Sequence, residues 1–373
     1  MTATDSTVTT GTTGTTDTGD AVATFGTESL TERLFGAVLA TLDLHAVYLG
    51  DRLGYYRALA AEGTALTPGE LAERTGTAER YTREWCEQQA VTGILEAGDE
   101  PDDIARRYAL PEAHRAALVE VLSLDHVVPL ARFAVGCAKQ SDLLAEAFRT
   151  GGGVSWAQHG TDAREGQAAA NRPMFLGPLG REYLPSVHDV DATLRGGARV
   201  ADVGCGHGWS AIGIALAYPE VTVDGFDLDE PSIEAARRNA VEAGIADRVR
   251  FHHADAGSAD GTYDVVFAFE CIHDLPDPVA VLRAMHGLGG TVVVMDERVA
   301  ETFTAPGDEI ERLMYGYSLV CCLADGMAHE HSVGTGTVMR PDTLRGYARE
   351  AGFADIEILG IEDDFFRFYR LVR

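Results

Sequence analysis

The chain has 373 residues, which is enough for two domains that each bury a core of their own. Its formal net charge of −28 argues against binding to a nucleic-acid backbone, because such binding needs clustered Lys and Arg. The six cysteines include no C-x-x-C pair, so the sequence indicates neither a zinc knuckle nor a disulfide framework. The adjacent Cys321 and Cys322 could oxidise, but buried thiols are the simpler interpretation.

The N-terminal segment is rich in Thr, Gly and Ser and has almost no large apolar side chains. It cannot bury enough surface to offset its ordering entropy, so residues 1–25 are predicted to form a disordered tail. The segment lacks the basic and apolar regions of a secretory signal, and no apolar run in the chain is expected to span a membrane. We therefore expect a cytoplasmic protein without a membrane partner.

The next segment, up to residue 112, begins with apolar residues at helical spacing that predict a helix over 30–49. Thr67 and Pro68 predict the start of a short helix, and Gly76 predicts its end. Thr77 is expected to cap a further helix. The apolar side of this helix is predicted to contain Tyr81, Trp85 and Ala90.

Two short apolar runs, 94–95 and 108–110, lie on either side of an acidic turn and complete the pattern of a winged helix. DNA binding would be one function of such a domain. However, the second helix and the turn carry many acids, among them Glu79, Glu84, Glu87, Asp99, Glu100, Asp102 and Asp103. Only Arg80 and Arg83 could face phosphates there, so a ligand-sensing transcription regulator stands as the alternative hypothesis.

A glycine-rich loop follows the apolar run that starts at Arg199, in the sequence Arg199-Val-Ala-Asp-Val-Gly-Cys-Gly-His-Gly-Trp-Ser-Ala211. Glycines at the turn after a buried parallel strand let the backbone approach a ligand that a Cβ would block. A dinucleotide-binding loop has the spacing G-x-G-x-x-G. Here the spacing is G-x-G-x-G, which indicates a different nucleotide-like cofactor.

Acidic residues follow four further apolar runs of the same region. The run 221–226 ends in Asp227, at the distance from the glycine loop at which ribose-binding acids lie. The run 249–254 ends in Asp255, the run 263–269 leads into Glu270, and the run 291–295 ends in Asp296-Glu297. Acids at successive strand ends predict one polar crevice at the carboxyl edge of a parallel sheet.

The glycine loop and these acids closely resemble the motifs of class I S-adenosylmethionine-dependent methyltransferases, over about residues 190–373. A looser resemblance extends upstream to about residue 27, to the bacterial and plant small-molecule O-methyltransferases that carry a winged-helix dimerisation domain. The resemblance implies an α/β fold with a Rossmann-like seven-stranded, mostly parallel sheet, preceded by a mostly helical winged-helix domain. The final helix, 343–351, and the runs 356–359 and 365–371 fit the antiparallel strand pair that closes such a sheet.

The implied domains are a tail over 1–25, a winged-helix dimerisation domain over 27–112, a helical linker with the acceptor pocket over 113–190, and a methyltransferase domain over 191–373. The implied cofactor is S-adenosyl-L-methionine. Its candidate binding residues are Asp202, Gly204, Cys205, Gly206, Gly208, Asp227, Leu228, Asp255, Ala256 and Phe269.

The resemblance also implies an acceptor pocket formed by the linker and by the segment after the fifth strand. The candidate pocket residues are Trp156, His159, Met174, Phe175 and Tyr315. The expected partners are a small-molecule acceptor and a second copy of the chain, with no nucleic acid.

His273 and Asp274 are the candidate catalytic residues. Methyl transfer from a sulfonium is an in-line displacement, so the protein must align the acceptor, exclude water and remove a proton. Histidine suits that last step because its ordinary pKa lies near neutrality. The segment 272–277 resembles the base-bearing loop of phenol-type O-methyltransferases, which implies methylation of an oxygen on an aromatic or polyketide-like compound of secondary metabolism.

The insertion over residues 298–340 is too long for an ordinary connection and is expected to form a lid. Its His329 and His331 suggest a metal site together with His273, although solvated loop histidines are the simpler interpretation. A metal-assisted C-methyltransferase, or an enzyme of this fold that uses the sulfonium without methylating, is therefore a further alternative.

Overall fold

A computed structural model describes residues 27–255 and 261–373. The predicted tail over 1–25 and the candidate residue Ala256 lie outside the described residues. The chain divides into two units, one that ends at Leu39 and one that comprises Ala40–Arg373.

The helices of the described residues are α1 (Thr27–Arg52), α2 (Tyr55–Glu62), α3 (Pro68–Thr75), α4 (Glu79–Val91), α5 (Arg115–Leu118), α6 (Val128–Ala138), α7 (Ser141–Thr150), α8 (Trp156–Leu176), α9 (Leu184–Ser186), α10 (His188–Arg195), α11 (Trp209–Ala217), α12 (Glu230–Glu242), α13 (Pro278–Gly287), α14 (Glu309–Tyr317), α15 (Leu323–Gly326) and α16 (Pro341–Ala351). Shorter turns lie at Glu112–His114, Leu179–Tyr183, Ile272–Asp274 and Ser318–Cys322, of which the second and fourth are π-helical. The strands are β1 (Glu96–Ala97), β2 (Tyr108–Ala109), β3 (Arg199–Val203), β4 (Thr222–Asp227), β5 (Val249–His253), β6 (Val265–Phe269), β7 (Thr291–Glu297), β8 (Asp355–Ile358) and β9 (Phe366–Val372).

The winged-helix prediction is confirmed over α2 to β2, with differences at α4. A capping box starts α3, because Thr67 accepts from the Glu70 amide and Glu70 accepts from the Thr67 amide. Ala78 and not Thr77 precedes α4, so the predicted cap is wrong; the Thr77 hydroxyl bonds to Thr82 instead. The strands of the wing pair antiparallel.

The core of the winged region is aromatic. Tyr55 and Tyr56 pack against Trp85, with ring centroids 4.6 Å and 5.3 Å apart. The Trp85 indole donates to the Ala46 carbonyl at 2.8 Å, which fixes the end of α1 against α4. Tyr81 was expected on this apolar side, but its side chain is 81% exposed, because the buried stripe of α4 runs through Thr82, Trp85 and Gln89.

The helices α6 and α8 cross at small residues. A Cβ at Gly136 would lie 2.5 Å from the Ala163 nitrogen, and a Cβ at Gly166 would lie 2.6 Å from the Phe133 nitrogen. Only glycine therefore allows the two backbones to approach this closely. Near the crossing, Asp162 accepts hydrogen bonds from Tyr48 at 2.8 Å and Lys139 at 2.5 Å, and so joins α1 to both helices.

The C-terminal sheet has seven strands in the order β5-β4-β3-β6-β7-β9-β8. The first five are parallel to one another, while β9 pairs antiparallel with both β7 and β8. This is the expected α/β fold, and the predicted strands agree with the observed ones to within a few residues. One difference matters for the site: Asp296 and Glu297 belong to the end of β7 rather than to the loop beyond it.

The helix α1 carries exposed apolar side chains along its length. In the unit that begins at Ala40, Leu42 is 61% and Leu49 is 47% exposed. By length and composition, Ser29–Arg52 could cross a membrane. Its mean hydropathy over 18 residues is 1.3, and 11% of those residues are buried. The expectation that no apolar segment is long enough to span a membrane was therefore wrong. An amphipathic helix that docks on another protein surface can have the same length and composition.

Candidate active site

The glycine loop after β3 is closed on one side and open on the other. Gly204, Gly206 and Gly208 all have left-handed backbones, with φ values of 72°, 49° and 77°. A Cβ at Gly204 would lie 2.7 Å from the Cys271 sulfur, so this glycine packs against the loop after β6. A Cβ at Gly206 would meet no atom within 4 Å. The loop thus leaves free space over Gly206, as a cradle for a ligand requires.

Asp227 holds the loop from the end of β4. Its carboxylate accepts the amide of Gly206 at 2.8 Å and the amide of Asp229 at 2.8 Å. Burial raises the pKa of Asp227, although these two amides favour the ionised form. Asp227, the predicted ribose-binding acid, is therefore hydrogen-bonded to the glycine loop.

Asp202 lies beneath the loop and is fully buried. The hydroxyl of Ser210 donates to its Oδ2 at 2.5 Å, and the backbone amide of Ala211 also favours the ionised carboxylate. Burial raises the pKa of this carboxyl to about 7, against the favourable Ser210 hydrogen bond.

The other predicted cofactor residues are distributed around this cradle. Cys205 and Phe269 are buried, Leu228 is 65% exposed beside Asp227, and Asp255 is exposed beyond the end of β5. Parallel pairing of β3 with β4 and β6, and of β4 with β5, brings the ends of these strands to one edge of the sheet. The role of each residue remains a prediction.

Glu270 was noted from the sequence as a strand-end acid of this crevice but was not among the candidate binding residues. It follows β6 with a φ of 51°, an uncommon backbone for a residue with a side chain. Gln167 and Asn171 of α8 donate to its Oε2 at 3.1 Å and 3.0 Å, and its Oε1 has no partner. Burial raises the pKa of Glu270 to about 7. Neither the left-handed backbone nor the unpaired oxygen is visible in a sequence.

His273 lies in a short turn after β6 and is 2% exposed. Its Nδ1 lies 2.6 Å from Oδ1 of Asp296 and 2.9 Å from Oε2 of Glu297. Its Nε2 lies 3.0 Å from Oδ1 of Asp274, whose side chain is 35% exposed. The two candidate catalytic residues are therefore in contact, and the ring is held from its other side by the end of β7.

The charge state of this cluster follows from its burial. Burial alone would lower the pKa of His273, but the charges of Asp274, Asp296 and Glu297 outweigh it and raise that pKa well above its usual range. Burial raises the pKa of Glu297 well above its usual range, whereas the pKa of Asp296 is lowered, because the nearby imidazolium outweighs burial there. These directions favour the charged forms of His273 and Asp296 and the protonated form of Glu297.

The insertion after β7 folds back over the His273 turn. The amide of Val333 donates to the Pro276 carbonyl at 2.9 Å. On the opposite side, the amide of Val154 donates to the Ala324 carbonyl and that of Trp156 to the Asp325 carboxylate. The thiol of Cys322 lies within 4.8 Å of the ligand atoms of His273 and Asp274. The insertion and the glycine-rich loop before α8 thus meet near the candidate base.

The predicted acceptor residues fall into two groups. Trp156 and His159 lie at the start of α8 beside the insertion, and Tyr315 lies on α14, where its hydroxyl accepts from Arg340 at 3.4 Å. Met174 and Phe175 instead pack into the core against the sheet, with the Phe175 ring 5.6 Å from that of Phe269.

The histidines proposed as metal ligands with His273 are not brought to it. His329 and His331 are exposed in the insertion, and among the described residues the groups of potential ligand atoms around His273 contain Asp274, Cys322, Asp296 and Glu297 instead.

Two known families match separate parts of the chain. Residues 194–319 match the family described as methyltransferase domain, and residues 40–120 match the Rv2258c-like winged HTH domain. Over 150 residues the chain is 33% identical to 27-O-demethylrifamycin SV methyltransferase of Amycolatopsis mediterranei, a match that covers 38% of this chain and 55% of that protein. It is 30% identical over 197 residues to the ubiquinone biosynthesis O-methyltransferase of Ralstonia nicotianae, covering 50% of this chain and 74% of the relative.

Solved structures share the fold over nearly the whole chain. Mitomycin 7-O-methyltransferase MmcR superposes with a TM-score of 0.68 at 21% identity, covering 93% of this chain and 97% of that one. Human N-acetylserotonin methyltransferase, solved with S-adenosylmethionine, gives 0.68 at 16% identity, covering 92% and 97%. The chain belongs to the S-adenosylmethionine-dependent methyltransferases. Its cofactor is S-adenosylmethionine, and the open space over Gly206 together with the unpaired Oε1 of Glu270 fits that cationic nucleoside.

The raised pKa of Asp202 predicts a stability change with pH in the protein without cofactor. The folded state holds a proton on Asp202 up to about pH 7, whereas the unfolded chain releases it near pH 4. The free energy of unfolding that this proton contributes at low pH is therefore lost as the pH rises between these two values. Asp202→Asn removes the effect, and its free energy of unfolding should fall less steeply from pH 5 to 7, by up to roughly 1.4 kcal/mol per pH unit. Chemical denaturation at several pH values measures the slopes.

Asp355→Asn is the matched control, because the lowered pKa of Asp355 keeps this carboxyl ionised throughout that range. Its slope should equal that of the wild type. Equal slopes in wild type and Asp202→Asn would contradict the assigned protonation of Asp202.

Proposed function

We propose that this enzyme transfers the methyl group of S-adenosylmethionine to an oxygen of a small aromatic or polyketide-like acceptor, with His273 as the general base. The observation that carries the proposal is the buried His273, held through Nδ1 by Asp296 beside the cofactor cradle. The names of the relatives from Amycolatopsis mediterranei and Ralstonia nicotianae, both of which refer to O-methylation, support the choice of oxygen. The enzyme would act in the cytoplasm, in secondary metabolism.

The carboxylates of the crevice would bind the cofactor. Asp227 would accept the ribose hydroxyls, since its oxygens already lie at the glycine loop. Glu270 would accept the ammonium of the methionine part through its unpaired Oε1, with Gln167 and Asn171 holding the other oxygen. Asp255 would receive the adenine amino group from the end of β5.

The proton of the acceptor would pass to the neutral form of His273, which is populated at higher pH because the carboxylates raise the pKa of the ring. S-adenosylmethionine supplies an electrophilic methyl group, so the chain itself needs only to align the acceptor, exclude water and take up that proton. Nε2 of His273 lies next to Asp274, the one partly exposed carboxylate of the cluster, and this side of the ring would face the acceptor. Asp296 would stabilise the imidazolium that forms.

DNA binding is less well supported by the winged region. Arg80 pairs with Glu84 at 2.5 Å, and Arg83 pairs with Glu79 at 3.2 Å and with Asp103. The two arginines that could face phosphates are therefore already paired with carboxylates on the same surface.

The cofactor assignment predicts that the protein binds S-adenosylhomocysteine in a calorimetric titration. Asp227→Ala should weaken this binding by roughly 10 to 100-fold, because one or two charge-assisted hydrogen bonds are lost. Asp342→Ala, at an exposed carboxylate of α16, should bind like the wild type. Undetectable binding by the wild type, or wild-type affinity in Asp227→Ala, would refute the assignment.

The base assignment predicts that His273→Ala keeps cofactor affinity near that of the wild type while turnover falls by about 10² to 10⁴. Asp274→Ala should lower turnover less. Since the carboxylates raise the pKa of His273, wild-type turnover should rise with pH beyond the usual histidine range of about 6.5, and Asp296→Asn should move this rise to lower pH. Steady-state rates against pH with an identified acceptor measure both. Full activity of His273→Ala would refute the assignment of His273 as the general base.

The exposed apolar face of α1 predicts a homodimer built on the N-terminal region. Light scattering at micromolar concentration should report twice the mass of the chain, and Leu42→Glu should shift the population towards monomer. Val241→Glu, at an exposed valine of α12, should remain dimeric. A wild type that is monomeric, or that sediments with lipid vesicles, would show that this face is not a dimer interface.

A further inference from the structure

We propose that Cys137, His159 and Cys321 form a zinc site with one open coordination position. The two sulfurs and an imidazole nitrogen all lie within 4.8 Å of one another. Thiolate and imidazole are the preferred ligands of Zn²⁺, and three protein ligands leave the fourth position for water or a soft donor atom. This site shares no residue with the candidate cofactor cradle or with the cluster around His273.

His159 provides an independent observation. Its side chain is 2% exposed, the backbone of Val154 is the one hydrogen-bonding group among the described residues that faces the ring, and at least one ring nitrogen has no partner there. Buried polar atoms are almost always paired, so a buried imidazole with an unpaired nitrogen is uncommon. A metal bond to one nitrogen would satisfy this side chain where the surrounding residues do not.

Three separate elements bring the ligands together. Cys137 lies near the end of α6, His159 lies in the first turn of α8, and Cys321 lies in the π-helical turn before α15. Gly160 follows His159 with a φ of 77° and a ψ of −167°, which breaks α8 directly after the ligand. Each ligand is thus fixed by an element with its own packing, which favours a preformed site.

The surroundings suit an uncharged metal centre. Phe133 and Ala163 pack against the two cysteines, with Trp156 and Tyr317 at the margin. Binding of Zn²⁺ would release the two thiol protons to solvent, and two thiolates then balance the charge of the ion. A centre without net charge can be buried among apolar side chains, whereas an unpaired charge cannot.

The site shares His159, which it would assign to the metal, with the predicted acceptor pocket, and it also lies near His273. Cys322 follows Cys321 directly, and its thiol lies within 4.8 Å of the ligand atoms of His273 and Asp274. A metal bound to Cys321 would therefore fix the turn that carries Cys322 beside the candidate base. The ion would act by positioning the insertion, and its binding can be measured without any acceptor.

The full-length chain, purified without chelators, is expected to contain about one zinc per chain by elemental mass spectrometry. After chelator treatment, added Co²⁺ should give the intense near-ultraviolet absorption of a cobalt–thiolate bond. The double variant Cys137→Ser/Cys321→Ser should lose both the zinc and the band, and His159→Gln should bind Co²⁺ more weakly. Cys86→Ser, a buried thiol in the separate core of the winged region, should keep both.

A second measurement on the wild type covers the case in which the double variant does not fold. X-ray absorption at the zinc edge of the wild type should show about two sulfur neighbours at about 2.3 Å and about one nitrogen neighbour at about 2.0 Å. The proposal is overturned if the wild type yields neither zinc nor a cobalt–thiolate band, or if the folded double variant retains the metal. A Cys137–Cys321 disulfide in protein isolated without reductant would overturn it as well.

Discussion

The pairing of His273 with Asp296 is the contact on which the geometry of the site depends. It joins the turn after β6 to the end of β7, two strands that are neighbours in the sheet and whose register sets Phe269 opposite Met295. Because both side chains are almost fully buried, neither can relax into water if the other is removed. The sheet therefore determines the position of the His273 ring. The insertion over residues 298–340 packs against the turn that carries this ring.

The sequence predicted those parts of the site that are local. The spacing of the glycines after β3 predicts a tight turn, and Asp227 lies at the end of its own strand, where its carboxylate accepts the Gly206 amide. The partner of His273 was not predicted, although Asp296 had been noticed as a strand-end acid. Its role depends on the lateral order of β6 and β7, which one sequence does not reveal.

Other features could not be predicted because they arise from packing between distant segments. The left-handed backbone of Glu270 is imposed by its surroundings and has no signature in residue type. Met174 and Phe175 were taken as pocket residues from their position in the chain, yet α8 turns them towards the core under the sheet. For an amphipathic helix, the spacing of apolar residues shows which side is buried but not which element covers it.

If the acids of the crevice bind the cofactor as proposed, they would distinguish its charge before and after transfer. Burial raises the pKa of both Asp202 and Glu270 to about 7, so each is poised between its neutral and charged forms near physiological pH. A cationic ligand favours the charged forms, and the net charge of −28 attracts such a ligand from a distance. S-adenosylmethionine carries a sulfonium that the demethylated product lacks. Loss of that charge on transfer weakens the electrostatic attraction at the moment when the product must leave.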